Sequence, residues 1–232
     1  MEHRFTADYV RHGKPEYTKE EIASGRIEGT LTPEGRIQVE ETINGIADGF
    51  SPEEVAIILT SPKQRAKESA ELAAEILIKR GINVVLPVKI KDSLKDVQMS
   101  PEYVGKIVDG GGAADWMEAW AAEKHVPEGT EDAAHVKKRA QRVINYLRRY
   151  AEKISGAGER PHFILFGHEE GVRDILEAAF GTGTKKGEGP IYGESVSIDF
   201  LDDQNGKLEM HVKYGDITGR LEFDPASRSF DE

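Results

Sequence analysis

Val55-Ala56-Ile57-Ile58-Leu59-Thr60 and Phe163-Ile164-Leu165-Phe166-Gly167-His168 are two short, almost unbroken apolar runs. Runs of this length without polar alternation mark strands buried on both faces, as in a parallel sheet covered by helices. Three further stretches read as strands, at residues 6–11, 84–90 and 195–201. Helical patterns fill the intervals. Thr32-Pro33 and Ser61-Pro62 each set a capping residue before a proline at the first helical position. The first predicted helix turns Val39, Ile43 and Ile46 inward. The second carries Ala66, Ala70, Ala73, Ala74 and Leu77 on one face and stops at Lys79-Arg80-Gly81. A long amphipathic helix is marked by Val136, Ala140, Val143, Ile144, Leu147 and Ile154, and a short one by Val172, Ile175, Leu176 and Ala179 before Gly181.

Near the C-terminus the period changes to two. Val196, Ile198 and Phe200, then Leu208, Met210 and Val212, alternate with polar residues on either side of Asp203-Gln204-Asn205-Gly206, which predicts a hairpin. Residues 98–135 are the least regular and read as an inserted lid. The expected architecture is one domain over 1–232: an α/β fold, a three-layer α/β/α sandwich with a mainly parallel sheet, an inserted lid and a C-terminal β-hairpin.

Of the 232 residues, 38% are hydrophobic and 31% charged, as in a folded globular chain. There is no cysteine, which rules out disulfides, thiolate nucleophiles and cysteine-ligated metals. A formal net charge of −11 argues against nucleic acid and anionic membranes as partners. No apolar stretch approaches the length needed to span a bilayer. Residues 1–8 lack the apolar core of a secretory signal, so a cytoplasmic location is expected.

Tyr9-Val10-Arg11-His12-Gly13 ends the first strand on an arginine, a histidine and a glycine, and His168 ends the fourth. In open α/β sheets, ligands bind at the carboxyl ends of the strands. His12, Arg65 and His168 all follow predicted strands at that edge. Two imidazoles with a guanidinium fork suit phosphoryl transfer to a histidine nitrogen.

Arg11-His12-Gly13 after a strand resembles the signature of the histidine phosphatase superfamily, also called phosphoglycerate-mutase-like. Four further segments resemble that family in order: Leu31-Thr32-Pro33-Glu34-Gly35-Arg36-Ile37-Gln38, Ser61-Pro62-Lys63-Gln64-Arg65-Ala66, Pro127-Glu128-Gly129-Thr130-Glu131 and Phe166-Gly167-His168. The resemblance implies that His12 is the nucleophile and carries a phosphohistidine. It implies that Arg11, Arg65 and Gly13 bind the phosphate, and that a protonated His168 stabilises its charge. It implies no metal and no cofactor. The proton donor stays open between Asp96, which aligns with a leucine-x-glutamate segment of the mutase-like branch and is preferred, and Glu169, which stands where the acid-phosphatase branch has an aspartate.

Lys14-Pro15-Glu16-Tyr17 and Glu170-Gly171-Val172-Arg173 depart from the mutase pattern. Phosphomonoester hydrolysis is therefore the preferred reading, on a phosphorylated small molecule or a phosphoprotein. Glu16, Glu28 and Glu169 near the site disfavour highly anionic substrates. A mutase-type phosphotransferase and a weakly catalytic phosphate-binding module are the alternatives, and a homodimer through the hairpin edge stays open. His3, His125, His135, His162 and His211 show no metal-like spacing and are expected at the surface or on edge strands. Trp116 and Trp120 are expected in the core of the lid. Gly110-Gly111-Gly112 reads as a hinge or loose turn, and Lys185-Lys186 as part of a flexible connector.

Overall fold

The computed structural model describes residues 3–101, 104, 120, 128–154, 159–181, 189–202, 208–227 and 229–230. Elements are labelled in chain order. Four parallel strands, β1 (His3–Arg11), β4 (Glu54–Thr60), β5 (Val84–Ile90) and β6 (Arg160–Gly167), lie in the order β1-β6-β4-β5. On the free side of β1 the sheet continues antiparallel through β7 (Ser195–Asp202), β8 (Leu208–Tyr214), β9 (Ile217–Asp224) and β10 (Ser229–Phe230), giving eight strands. A short ribbon of β2 (Pro15–Glu16) and β3 (Thr30–Leu31) stands apart. The expected hairpin is β7 and β8, and it extends into a longer antiparallel run. In β9 only Leu221 and Phe223 are buried apolar residues, too few to signal a strand. The turn at 203–206 lies outside the described residues.

The two apolar runs do what their composition requires. In β4, Ala56 and Ile58 face one layer, built from α2 (Pro33–Asp48) and α3 (Gln64–Lys79) through Val39, Ile43, Ala66, Ala70 and Leu77. Ile57 and Leu59 face the opposite layer, built from α4 (Ala133–Ile154) and α5 (Arg173–Phe180) through Val143, Leu147 and Ile175. The strands are buried on both sides, as a sandwich of three layers demands. No helix among the described residues is long and apolar enough to cross a membrane.

The helix starts divide. Thr32 caps α2 as expected, its Oγ1 accepting the Gly35 N–H at 3.0 Å with Pro33 at the first position. Ser61 does not cap α3, which begins at Gln64 after Lys63 with no side-chain cap. The Ser61 hydroxyl is engaged by His168 instead and accepts the Lys63 N–H at 3.3 Å, so the chain makes one further turn before the helix starts.

His162 also departs from expectation. It sits in β6, between β1 and β4, and is 6% exposed. Asp8, 2.6 Å from its Nε2, and Glu54, 3.8 Å from its Nδ1, supply the charge that lets an imidazole be buried there. Most of the lid lies outside the described residues, as do His125, Trp116, Gly110-Gly111-Gly112 and Lys185-Lys186. Trp120 is buried against Val97 and Val136, with its indole N–H donating to the Glu131 carbonyl at 2.7 Å.

Candidate active site

The register of the sheet assembles the site. Arg11 of β1 pairs with Gly167 of β6, so the next residue on each strand, His12 and His168, emerges at the same edge. Their ring centroids are 5.0 Å apart. Thr60 of β4 pairs with Phe166, which delivers Ser61 to the same place.

Two close approaches hold the neighbouring loops. A Cβ on Gly13 would stand 2.2 Å from the Gly35 carbonyl oxygen, and one on Gly35 would stand 2.3 Å from that of Lys14. The loop after β1 therefore crosses the start of α2 with backbone against backbone. Thr32 N–H and Oγ1 both donate to the Lys14 carbonyl at 3.0 Å, and the Lys14 N–H donates to Gln38 Oε1 at 2.9 Å. Tyr9 fixes the other loop. Its hydroxyl donates to the His168 carbonyl at 3.1 Å and accepts the His168 N–H at 3.2 Å. Cβ atoms on Gly167 and Gly171 would come within 2.0 and 2.1 Å of that hydroxyl. Burial pushes the phenol's pKa up, which keeps it a donor.

Arg65 joins the two histidines. Its Nε donates to His12 Nε2 at 3.0 Å and its Nη2 lies 3.2 Å from His168 Nδ1. A guanidinium nitrogen can only donate, so both imidazole nitrogens facing it carry lone pairs. The remaining ring N–H groups donate elsewhere: His12 Nδ1 to the Gly13 carbonyl at 2.8 Å, and His168 Nε2 to Ser61 Oγ at 2.9 Å. Both rings are 3% exposed. Burial, and then the Arg65 charge, push both pKa values well below the ordinary histidine range, so both are neutral here. Arg65 Nη1 donates to the Ile27 and Glu28 carbonyls at 2.9 and 2.7 Å, and Nη2 also donates to Asp96 Oδ2 at 2.7 Å. All five of its N–H donors are thus in use.

Arg11 Nη1 donates to Glu169 Oε2 at 2.6 Å and to the Pro190 carbonyl at 2.9 Å, and the guanidinium lies 4.2 Å from the Tyr192 ring centroid. Its Nε is enclosed without a partner. Asp96 also has Lys63 Nζ 3.9 Å away. Its backbone is held by Arg139, which donates to the carbonyls of Ser93, Lys95 and Asp96 while pairing bidentately with Glu131 at 2.9 and 2.8 Å.

These groups line one cavity of ≈ 590 Å³. His12, His168, Arg11 and Arg65 form its polar end, with Asp96, Glu169 and Glu170 beside them. Tyr17, Ile22, Ile27, Val97, Met99 and Val104 form an apolar wall. Of the residues expected at the site, six line the cavity. Gly13 does not: its N–H points to Ser69 Oγ at 3.3 Å and its carbonyl accepts from His12, so it positions the His12 ring rather than facing a ligand. Sequence reasoning missed Tyr9, Ser61, Arg139 and Glu170. The serine lay in a quoted motif but was assigned to the helix cap. Tyr9 and Arg139 act through backbone groups distant in sequence, for which no local pattern exists. Among the described residues, no group of three or more histidines and carboxylates is placed to hold a metal ion.

The profile of the histidine phosphatase superfamily (branch 1) matches residues 9–211. Sedoheptulose 1,7-bisphosphatase of Saccharomyces cerevisiae is 23% identical over 186 residues, covering 76% of this chain and 68% of that protein. The solved structure of a mycobacterial glucosyl-3-phosphoglycerate phosphatase in complex with VO3 superposes with a TM-score of 0.62 at 17% identity, covering 90% of this chain and 97% of that one. Mycobacterial hydrolase 1 does so with 0.62 at 16% identity, covering 92% and 99%. These two likenesses are of fold.

Proposed function

The chain belongs to the histidine phosphatase superfamily (branch 1), and on that premise we propose that it hydrolyses phosphomonoesters through a phosphohistidine on His12, without a metal ion. The observation that carries this reading is the tautomer of His12: its N–H is committed to the Gly13 carbonyl, which leaves Nε2 as a lone pair on the cavity side. A neutral, oriented imidazole is what nucleophilic attack on phosphorus needs.

The rest follows from charge. A phosphoryl group entering beside Nε2 takes over donors of Arg65 that now serve His12, His168 and Asp96, while the two backbone carbonyls keep the guanidinium in place. Arg11 adds a second fork, with its enclosed Nε as a free donor. Burial and then the Arg65 charge hold the His168 pKa down; the dianion opposes that charge, so His168 takes up a proton as substrate binds and then stabilises the transferring group. Nε2 bonds to phosphorus as the ester oxygen leaves with a proton from a carboxyl group. Water then attacks the phosphohistidine and releases inorganic phosphate.

The relatives' names point to phosphorylated small molecules. The apolar wall favours a monoester whose alcohol is apolar or aromatic over a sugar with several phosphates. Steady-state hydrolysis of p-nitrophenyl phosphate tests the reading. We expect chelator-resistant release of nitrophenol that is lost by at least about 10³-fold in His12→Ala. Activity that survives in His12→Ala, or that a chelator abolishes, contradicts it.

A further inference from the structure

We infer that Glu170, in place of Asp96 or Glu169, is the carboxylic acid that protonates the leaving oxygen; this rests on the phosphohydrolase reading above. All three carboxyls line the cavity that His12 and His168 close. Their surroundings differ. Asp96 Oδ2 accepts from Arg65 at 2.7 Å and Glu169 Oε2 accepts from Arg11 at 2.6 Å. In the free site each of these oxygens is held as a hydrogen-bond acceptor by a guanidinium. Among the described residues Glu170 has no guanidinium partner of this kind. Its Oε2 is enclosed and unpartnered, and its hydrogen bond is to its own backbone N–H. An enclosed, unpartnered carboxylate oxygen is costly, and the neutral acid relieves that cost by holding a proton.

The electrostatic setting acts the same way. Asp96 and Glu169 repel a negative charge at Glu170, while Arg11 and Arg65 attract one and Tyr9 stands neutral beside it. Burial dominates, and the pKa is pushed up to about 7. A carboxyl poised there is protonated in a useful fraction at neutral pH yet still gives its proton readily.

The step balances. As Nε2 bonds to phosphorus and the P–O ester bond breaks, the Glu170 proton passes to the departing oxygen, giving the alcohol and a Glu170 carboxylate. That carboxylate then takes a proton from the water attacking the phosphohistidine. The acid, the Nε2 lone pair and free phosphate result.

Leaving-group dependence isolates this role. Phenyl phosphate needs a proton on its departing oxygen, whereas 2,4-dinitrophenyl phosphate departs as a stable anion. With Glu170→Gln, kcat/KM for phenyl phosphate is expected to fall by about 10²–10⁴-fold. For 2,4-dinitrophenyl phosphate it is expected to stay within about threefold, which also shows that the variant folds with a working site. The decline of wild-type activity above about pH 7 should vanish in this variant. Equal losses on both substrates, unchanged hydrolysis of phenyl phosphate, or a leaving-group-selective loss in Asp96→Asn or Glu169→Gln would overturn the assignment. Dinitrophenyl phosphate turned over as well by His12→Ala as by wild type would instead strike the phosphohistidine reading, and the Glu170 role with it.

Discussion

β6 carries one histidine near its start and another just past its end, and the two live in opposite electrostatic worlds. His162 is 6% exposed and His168 is 3% exposed. Beside His162 stand two carboxylates, Asp8 and Glu54, and the Phe50 ring stacks on it at 4.2 Å with 8° between planes. Burial opposes its charge, but the Asp8 hydrogen bond and its neighbours prevail and raise its pKa to about 9. Beside His168 and His12 stands Arg65, and burial and cation act together to keep both rings neutral. Unit charges about 4 Å apart near a protein surface interact by about 4 kcal/mol, enough to decide which state a buried ring adopts. Residue type and burial are shared. The neighbouring charge makes one histidine a structural cation and the other two candidates for chemistry.

Changing each ring in turn sharpens the contrast. His12→Ala carries the largest expected effect, as stated above, because it removes the Nε2 lone pair that the proposed chemistry uses. His168→Asn should lower kcat by about 10²–10³-fold, since it removes a donor aimed at transition-state charge; steady-state kinetics on p-nitrophenyl phosphate checks this. At the other end of β6 the effect is on stability. The folded pKa of His162 lies above its unfolded value, so its contribution is complete below about pH 6.5 and is lost as pH rises through about 9. The amount is about 3 kcal/mol, shared with the two carboxylates rather than added to theirs. Thermal unfolding should show a midpoint that falls over this window, and His162→Gln should flatten the fall while leaving kcat within about twofold. Tyr9→Phe removes both hydrogen bonds to the His168 backbone and should cost about 1–2 kcal/mol of stability. An unchanged unfolding midpoint together with an unchanged kcat would contradict that positioning role.

How much of this was legible follows from distance along the chain. The parallel strands, α2, the end of α3 and both histidines at the carboxyl edge of the sheet were readable because apolar runs, caps and glycine stops are local signals. The Thr32, Gly35 and Gln38 motif was readable as a pattern, but its reason is a backbone crossing with Gly13 and Lys14 that only the folded chain reveals. Ser61 was misplaced because its partner, His168, is 107 residues away. His162 reads from the sequence as a surface or edge-strand residue because the carboxylates that tolerate its burial come from two other strands. Glu170 has no local signal of its own: what distinguishes it from Glu169 is the Arg11 guanidinium, which in the folded chain reaches one and not the other.

The most direct test of the account is nitrogen NMR on the protein with 15N-labelled histidine, titrated across pH 5–10. It predicts that at pH 7 His162 is an imidazolium, while His12 and His168 are neutral, with the proton of His12 on Nδ1 and that of His168 on Nε2. An imidazolium at His12, or its proton on Nε2, would remove the lone pair on which the proposed chemistry depends and would contradict the account.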